Sequence, residues 1–297
     1  MFVTFFLYVF TALASGGAVI VSQYIGTKDS QGADHTAGQL LTVSAVISFL
    51  FMIVIIAFNR SILAVLFGRV EENVMKACVE YQGIMALSFL PLGIYNAGAA
   101  ICRSINRTEI TLKVSIVSNI INVAGNAVGI YILHAGVLGV AWPTFFARLF
   151  SAIAVTCFCC RVENQVHYTS DNVFTWDGGT VKRILKVAVP NSIESGTFQL
   201  IKIALSSIVA LFGTAQIAAN GVAQTIWSLA ALMGVTMGPV YITVIGQCMG
   251  AGDVEEADFY FKRLTILAIA ASFVWKILIF ALTPLVIRFY PLSDDVK

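Results

Sequence analysis

The chain has 297 residues, of which 58% are hydrophobic and only 11% are charged, and its formal net charge is +2. A soluble globular domain usually carries about 25% charged residues, so this composition excludes that class and indicates an integral membrane protein. The small net charge, spread over loops, also excludes a nucleic-acid-binding protein.

Apolar stretches long enough to cross about 30 Å of hydrocarbon occur eight times along the chain. They lie at roughly 2–25, 38–59, 80–102, 113–133, 137–160, 184–212, 217–249 and 264–288. The sequence lacks the short alternating strands of a transmembrane barrel. Because helices satisfy their own backbone hydrogen bonds in lipid, the sequence predicts an all-α polytopic membrane protein.

Basic residues are more frequent in the loops on one side of these spans. The loops after the first, third, fifth and seventh spans hold ten lysines and arginines, the other side holds five, and three lie within spans. Basic loops favour the cytoplasmic side of a membrane. We therefore expect the loop after the first span in the cytoplasm and both ends of the chain outside.

A polar segment that follows the first span is repeated after the seventh. "SQYIGTKDSQGADHTAGQL" at 22–40 and "GQCMGAGDVEEADFYFKRL" at 246–264 share six identical residues when aligned without gaps. The copies lie six spans apart and so run in the same direction, which indicates a parallel repeat of six-span units.

This repeat predicts how the chain is divided. We expect an N-lobe of five spans at 1–160, a cytoplasmic linker at 161–180 and part of a C-lobe, with three spans, at 181–297. Two complete units would contain about twelve spans. We therefore expect that the whole protein has one span before these eight and about three after them.

One carboxylate stands clearly inside a predicted span. Glu194 lies in "VAVPNSIESGTFQLIKI", one turn after Pro190, and an acid at the centre of a membrane helix costs about 2.5–3.5 kcal/mol on insertion scales. At helical spacing it shares a broad face with Asn191 and Lys202. We interpret Glu194, with Asn191, as the site of a coupling cation, Na⁺ or H⁺. The alternative is a structural ion pair between Glu194 and a basic loop residue such as Lys186.

Polar side chains also follow one another on one face of the fourth span. They are Ser115, Asn119, Asn122 and Asn126, at steps of four, three and four residues. Such a row either bonds neighbouring helices or lines a polar cavity, and the amides alone do not distinguish the two. In the seventh span, Trp227 offers an adaptable surface for a hydrophobic ligand or else packs in the core.

Four segments carry a resemblance to a known family. They are "ASGGAVIVSQYIGTKDSQGA", "YNAGAAICRSINRTEITLKVSIVSNIINVAGN", "GVLGVAWPTFFAR" and "RILKVAVPNSIESGTFQLIKI" with the "FGTAQIAANGVAQ" and "VIGQCMGAGD" that follow it. Their combination and order resemble the multidrug and toxic compound extrusion (MATE) family of cation-coupled exporters. The resemblance covers nearly the whole chain except the linker and the extreme ends.

The resemblance implies a helical bundle of two six-helix lobes around a central cleft, with the eight spans equivalent to helices 2–9. By position, Asn122 matches the asparagine of the family's fifth-helix motif, and Asn126 falls where many members place an aspartate implicated in coupling. In another branch of the family, the coupling glutamate of the seventh helix lies about one turn beyond Glu194, where this chain has Phe198.

These observations define the expected site and function. We assign Glu194 and Asn191 to ion coupling, and to the substrate cavity Asn119, Asn122, Asn126, Gln199, Lys202, Asn220, Gln224 and Trp227. We expect no catalytic residues, no metal ligands and no cofactor other than the coupling ion, Na⁺ or H⁺.

The expected protein is a monomeric, multi-pass antiporter of a bacterial cytoplasmic membrane that exports small amphipathic or organic cationic compounds. The alternative is a lipid-linked precursor flippase of related architecture. A flippase would present a strongly basic cavity, and only Arg148, Lys202 and Lys276 lie within the predicted spans.

Overall fold

The computed structural model describes residues 2–67 and 72–289, and every secondary-structure element in these ranges is helical. The helices are α1 (Phe2–Gly26), α2 (Ser30–Ala57), α3 (Asn59–Phe67), α4 (Glu72–Leu87), α5 (Phe89–Ser104), α6 (Thr108–Ala127), α7 (Leu138–Cys159), α8 (Ser170–Phe174), α9 (Gly178–Ala210), α10 (Thr214–Ala251) and α11 (Val254–Phe289). A π-helical turn, Val128–Ile132, extends α6. The prediction of an all-α membrane protein is confirmed.

Seven helical segments within the described ranges are long and apolar enough to cross a membrane. They are Thr4–Gly26, Ser30–Ala57, Glu72–Ser104, Thr108–Ile132, Leu138–Cys159, Gln216–Ala251 and Val254–Pro284. They coincide with seven of the eight predicted spans. The other prediction, 184–212, falls largely on α9, which has 33 residues but is made more polar by Glu194, Gln199 and Lys202. α9 is therefore not among the seven segments. The sixth span remains a prediction that rests on the length of α9 and on its place in the repeat.

The third span is interrupted at Ser88, between α4 and α5. Pro91 lies three residues further on, and its ring has no N–H to donate to the carbonyl of Leu87, so the helical hydrogen-bond ladder is broken there. The Ser88 hydroxyl donates to the carbonyl of Met85 at 2.6 Å. The break thereby places a buried hydroxyl in the middle of the span.

The two copies of the repeated segment cross near the C-terminal ends of α1 and α10. A Cβ added to Gly26 would overlap the carbonyl oxygen of Gln247, and a Cβ added to Gly250 would overlap that of Gln23. Gly26 and Gly250 are equivalent positions of the repeat, as are Gln23 and Gln247. The contact is therefore reciprocal, as expected for two units related by an approximate two-fold axis.

The loops after α1 and α10 also have the same conformation and the same helix-capping hydrogen bond. Asp29 caps α2 and Asp253 caps α11, and each carboxylate accepts a hydrogen bond from the backbone N–H three residues on, at 2.9 and 2.8 Å. Lys28 (φ 60°) and Gly252 (φ 79°) precede them in the left-handed conformation that commonly ends a helix. The parallel repeat predicted from the sequence is thus present in the structure.

The N-lobe helices enclose a packed core, whereas the C-lobe helices are more open. α5 is buried along most of its length and packs against α1, α2 and α7. α9 and α10 pack against α1, and α11 packs against α10. Among the described residues of α11, only Ala257 is buried. The described part of the C-lobe therefore leaves much of its apolar surface uncovered.

The predicted linker at 161–180 is held against α2 by hydrogen bonds. Gln39 donates to the carbonyl of Asn172 at 3.0 Å and accepts from the backbone N–H of Asp177 at 3.1 Å. His35 Nε2 lies 3.1 Å from Asp177 Oδ2. The linker is therefore an ordered connection, with the short helix α8 inside it.

Asp177 is the N-cap of α9. Its carboxylate accepts hydrogen bonds from the Thr180 hydroxyl at 2.5 Å and the Gly179 N–H at 2.9 Å, and it contacts His35. These interactions, led by the bond from Thr180, hold the pKa of the Asp177 carboxyl well below its usual range.

We expect Asp177→Asn to lower the melting temperature by a few degrees at pH 7. Asparagine keeps one of the two acceptor oxygens, so the difference reports the lost charge together with the hydrogen bonds accepted by the other oxygen. Because the folded-state pKa is depressed, the stabilisation is present above the ordinary aspartate pKa of about 3.9 and is lost as the pH falls toward the folded-state value. The difference between wild type and variant should therefore stay constant from pH 7 to about pH 5 and shrink progressively below about pH 4.

Asp171→Asn, in the same linker, is the matched control, because the Asp171 carboxylate accepts no hydrogen bond from any described residue. A difference between wild type and Asp177→Asn that stays constant down to about pH 3 would contradict the assignment.

Gly26→Ala and Gly250→Ala should each destabilise the protein by about 1–3 kcal/mol, the usual cost of overpacking. The added methyl group meets a backbone carbonyl, which cannot rotate away as a side chain can. Gly221→Ala is the control, because an added Cβ there has no atom within 4 Å. Chemical unfolding of the purified variants measures the effect, and equal stability of Gly26→Ala and Gly221→Ala would refute it.

Candidate functional site

The amide row of α6 is divided between two environments. Asn122 Nδ2 donates to Thr144 Oγ1 of α7 at 3.0 Å, and Asn126 Nδ2 donates to Asn122 Oδ1 at 3.1 Å. Asn122 therefore bonds α6 to α7, and Asn126 bonds to Asn122 within α6. Asn119 is exposed and, with Ser115, lines a cavity. Both of the alternatives that the sequence left open thus apply, to different members of the row.

This cavity, of about 140 Å³, lies between α5, α6 and α7. Its lining residues are Leu92, Tyr95, Ser115, Ser118, Asn119, Arg148 and Ser151. Arg148 lies near the midpoint of α7 and donates from Nη1 to Ser88 Oγ at 2.6 Å. No carboxylate in the described ranges forms an ion pair with Arg148. Six of the seven lining residues have polar side chains, and the guanidinium group of Arg148 has no ion-pair partner among the described residues.

Glu194 lies on the side of α9 that faces away from α1. Ser192, like Asn191, donates to a carbonyl of α1 at 3.4 Å. Glu194 is two residues beyond Ser192, about 200° further around the helix, and is exposed. Within residues 2–67 and 72–289 its side chain forms no hydrogen bond and no ion pair, so the alternative pairing with Lys186 is not observed. Gln199, further along the helix, is buried.

Lys202 lies against two aromatic rings between α9 and α10. Its Nζ is 3.5 Å from the centroid of the Trp227 ring and 4.9 Å from that of Phe198. An ammonium group at such distances is attracted to the negative face of the ring. Asn220 and Gln224 share the Trp227 face of α10, because they precede it by seven and three residues.

The sequence-predicted site residues therefore form three groups. Asn119, Asn122 and Asn126 belong to the N-lobe, Glu194 lies on the far side of α9, and the structure brings together Lys202 and Trp227. Asn191 is turned toward α1 and is not hydrogen-bonded to Glu194. The roles of these residues in ion coupling and substrate binding remain predictions.

Sequence reasoning did not find the partners of these polar groups. Thr144 was not singled out, although it receives the Asn122 amide. Ser88 was also missed, and the signal that could have found it is Pro91, which breaks the helix next to a serine in mid-span. Tyr95 gave no signal of its own.

The Asn122–Thr144 hydrogen bond should contribute measurably to helix pairing. A double-mutant cycle of Asn122→Ala and Thr144→Val, measured by unfolding in detergent, should give a coupling energy of about 0.6 kcal/mol, the average for interhelical hydrogen bonds in a membrane protein. A cycle of Asn119→Ala with Thr144→Val is the control and should be additive. Additivity of both cycles would show that the amide does not bond the helices.

Comparison with known proteins agrees with this architecture. The MatE family matches residues 1–128 and 190–297, which include both copies of the repeat. The chain is similar to the "Uncharacterized transporter YisQ" of Bacillus subtilis, with 27% identity over 252 residues, covering 84% of this chain and 55% of that protein. It is also similar to the "Probable multidrug resistance protein NorM" of the same organism, with 23% identity over 266 residues, covering 85% and 57%. The chain thus spans a little over half the length of these relatives.

Solved structures show the same fold. A MOP superfamily transporter from Pyrococcus furiosus superimposes with a TM-score of 0.86 at 19% identity, covering 98% of this chain and 64% of that one. A MATE structure in complex with MaL6 gives a TM-score of 0.83 at 18% identity, with coverage of 98% and 65%. The two-lobe helical architecture expected from the sequence is therefore confirmed, and the chain belongs to the MatE family of membrane transporters.

Proposed function

We propose that this chain forms part of a secondary active antiporter that exports drugs or other amphipathic and organic cationic compounds in exchange for Na⁺ or H⁺. The observation that carries the proposal is the family match, which extends over helices of both lobes. Relatives named as multidrug resistance proteins support the substrate class. The protein would work as a monomer in the cytoplasmic membrane, without enzymatic chemistry and with no cofactor other than the coupling ion.

Export requires that the cleft between the lobes opens to one side of the membrane at a time. The crossing of α1 and α10 at Gly26 and Gly250 joins the lobes at the end that we predict to be cytoplasmic. In our proposal, these helix ends separate when the cleft opens inward. Binding of the driving ion must favour one of the two states through a difference in affinity, since an ion that binds both equally shifts nothing.

Glu194 is our candidate for the group that binds and releases the driving ion. It is the one acid that lies clearly inside a predicted span, and its side chain is exposed and has no ion-pair partner among the described residues. Ionisable groups inside a membrane are usually functional because they are costly to insert. Asn191 could help Glu194 to bind the ion only if its amide released the carbonyl of Ala12 in α1.

The substrate surface in this proposal consists of polar and aromatic groups. Its residues are Asn119, Asn122, Asn126, Gln199, Lys202, Asn220, Gln224 and Trp227. Asn122 and Asn126 would take part only if their hydrogen bonds within the N-lobe were released. Trp227 is about half exposed, and its face is covered by the ammonium group of Lys202. An organic cation that stacked on Trp227 would have to displace Lys202 first. The comparisons do not favour the flippase alternative.

The first test is ethidium efflux from cells that express the intact protein, with Na⁺ and pH gradients imposed separately. Efflux driven by one of the gradients would support the antiporter and identify the ion. No response to either gradient would argue against the proposal and would leave a flippase as the better explanation.

We expect Glu194→Gln to abolish gradient-driven efflux while the protein still reaches the membrane. Glutamine keeps the shape of the side chain but cannot exchange a proton and binds Na⁺ poorly, because it carries no charge. Glu255→Gln, in the exposed first turn of α11, is the control and should transport normally. Unchanged efflux by Glu194→Gln would remove Glu194 from the coupling site.

A further inference from the structure

We propose that the cavity around Arg148 in the N-lobe binds a small monovalent anion, such as chloride or a carboxylate group. The carrying observation is a guanidinium group near the middle of a membrane helix, beside a polar cavity, with no carboxylate partner in the described ranges. This site is separate from Glu194 and does not depend on the antiport proposal, although Asn119 also belongs to the proposed substrate surface.

The charge of Arg148 requires compensation. Arginine stays protonated in proteins, and an unpaired charge in a medium of low dielectric constant is strongly unfavourable. The hydroxyl of Ser88 accepts one of its five N–H groups but carries no charge. Glu80 of α4 is exposed and precedes Ser88 by eight residues, about 12 Å along the helix axis, so it does not supply the missing charge.

The neutral groups of the cavity are donors that an anion can use. The side chains of Tyr95, Ser115 and Asn119 line the cavity and make no hydrogen bond to any described residue. Each can donate a hydrogen bond, and hydrogen bonds from neutral and charged donors to an anion are among the stronger ones in proteins. Together with the N–H groups of Arg148 that are not bound to Ser88, they are the donors that the lining residues can offer to an anion.

Two other hydroxyls of the cavity are already engaged. Ser118 and Ser151 both donate to the carbonyl of Ala147, at 3.0 and 2.9 Å. Their hydrogens are therefore turned away from an incoming anion. This difference separates the serines of the cavity into one that should contribute to binding, Ser115, and two that should not.

The size of the cavity and its access suit a small ligand. Its volume of about 140 Å³ is several times the roughly 30 Å³ that a water molecule takes up in the liquid. Asn119 is the exposed member of the lining, so we place the entrance there. A bulky anion such as gluconate should not fit, whereas chloride, bromide or acetate should.

The test is a thermal melt of the intact purified protein at constant Na⁺ concentration, in which gluconate is replaced stepwise by chloride. We expect a saturable rise in melting temperature with chloride. Acetate in a parallel titration distinguishes a halide site from a carboxylate site. Bromide in crystals of the intact protein should give an anomalous peak beside the Arg148 guanidinium group.

Variants assign the effect to this cavity. Arg148→Gln should weaken chloride binding by at least about tenfold, and Arg148→Lys, which keeps the charge but loses the planar fork, should restore part of it. Ser115→Ala and Asn119→Leu should each weaken binding by about threefold or more, since each removes one donor. Ser118→Ala is the matched control and should stay within about twofold of wild type, because its hydroxyl already donates elsewhere.

If Arg148→Gln does not fold, the contrast between Ser115→Ala and Ser118→Ala still decides. The proposal is overturned if neither chloride nor acetate stabilises the protein more than gluconate does, or if Arg148→Gln and Ser115→Ala bind as wild type does. It is also overturned if the crystal structure of the intact protein shows a carboxylate side chain bound to Arg148.

Discussion

Two glycines allow the backbones of α1 and α10 to touch, and much of the structure depends on this close approach. A side chain at Gly26 or Gly250 would separate the helices by overlap with a backbone carbonyl of the other. Ser22 and Gly246, which are also equivalent in the repeat, meet in the same crossing. Because protein interiors are closely packed, such a contact fixes the angle between the helices and, through α1, the position of α9.

Inside a membrane, polar groups have no water to bond, so each must find a partner in the protein or face a water-filled space. The structure shows three outcomes of this constraint. Asn122 donates to a hydroxyl on the next helix, Lys202 lies over aromatic rings, and Arg148 donates to the buried hydroxyl of Ser88 at a helix break. Glu194 has none of these among the described residues, which is why it is the strongest candidate for ion exchange.

Most of the fold could be predicted from the sequence. Long apolar stretches identify membrane helices whatever packs around them, and the recurrence of Gly26 and Asp29 as Gly250 and Asp253 predicts two equivalent units. At other positions of the repeat, residue identity does not reveal the equivalence. Lys28 and Gly252 are equivalent positions, and both adopt the left-handed conformation although the residues differ. The hydrogen bonds of the loop conserve the conformation there, at the cost of placing a side chain where glycine is preferred.

Less of the candidate site could be predicted, because its geometry depends on contacts between distant helices. Helical spacing correctly placed the amides of α6 on one face, but it could not show that Asn122 reaches Thr144 while Asn119 remains exposed. Spacing also placed Asn191 near Glu194, whereas the side chain of Asn191 reaches toward α1. In each case the deciding contact is with a residue far away in the chain.

The docked linker has a mechanical consequence. A free connection of twenty residues would let the two lobes move independently of each other. Here, hydrogen bonds hold the linker to α2 as far as Asp177. Any rotation of α9 relative to α2 must then be taken up beyond that anchor. Pro190 is the first position in α9 whose backbone cannot complete the helical ladder. In the proposed transport cycle, the pivot of the C-lobe would therefore fall within α9, a few residues before Glu194, rather than in the linker that precedes it.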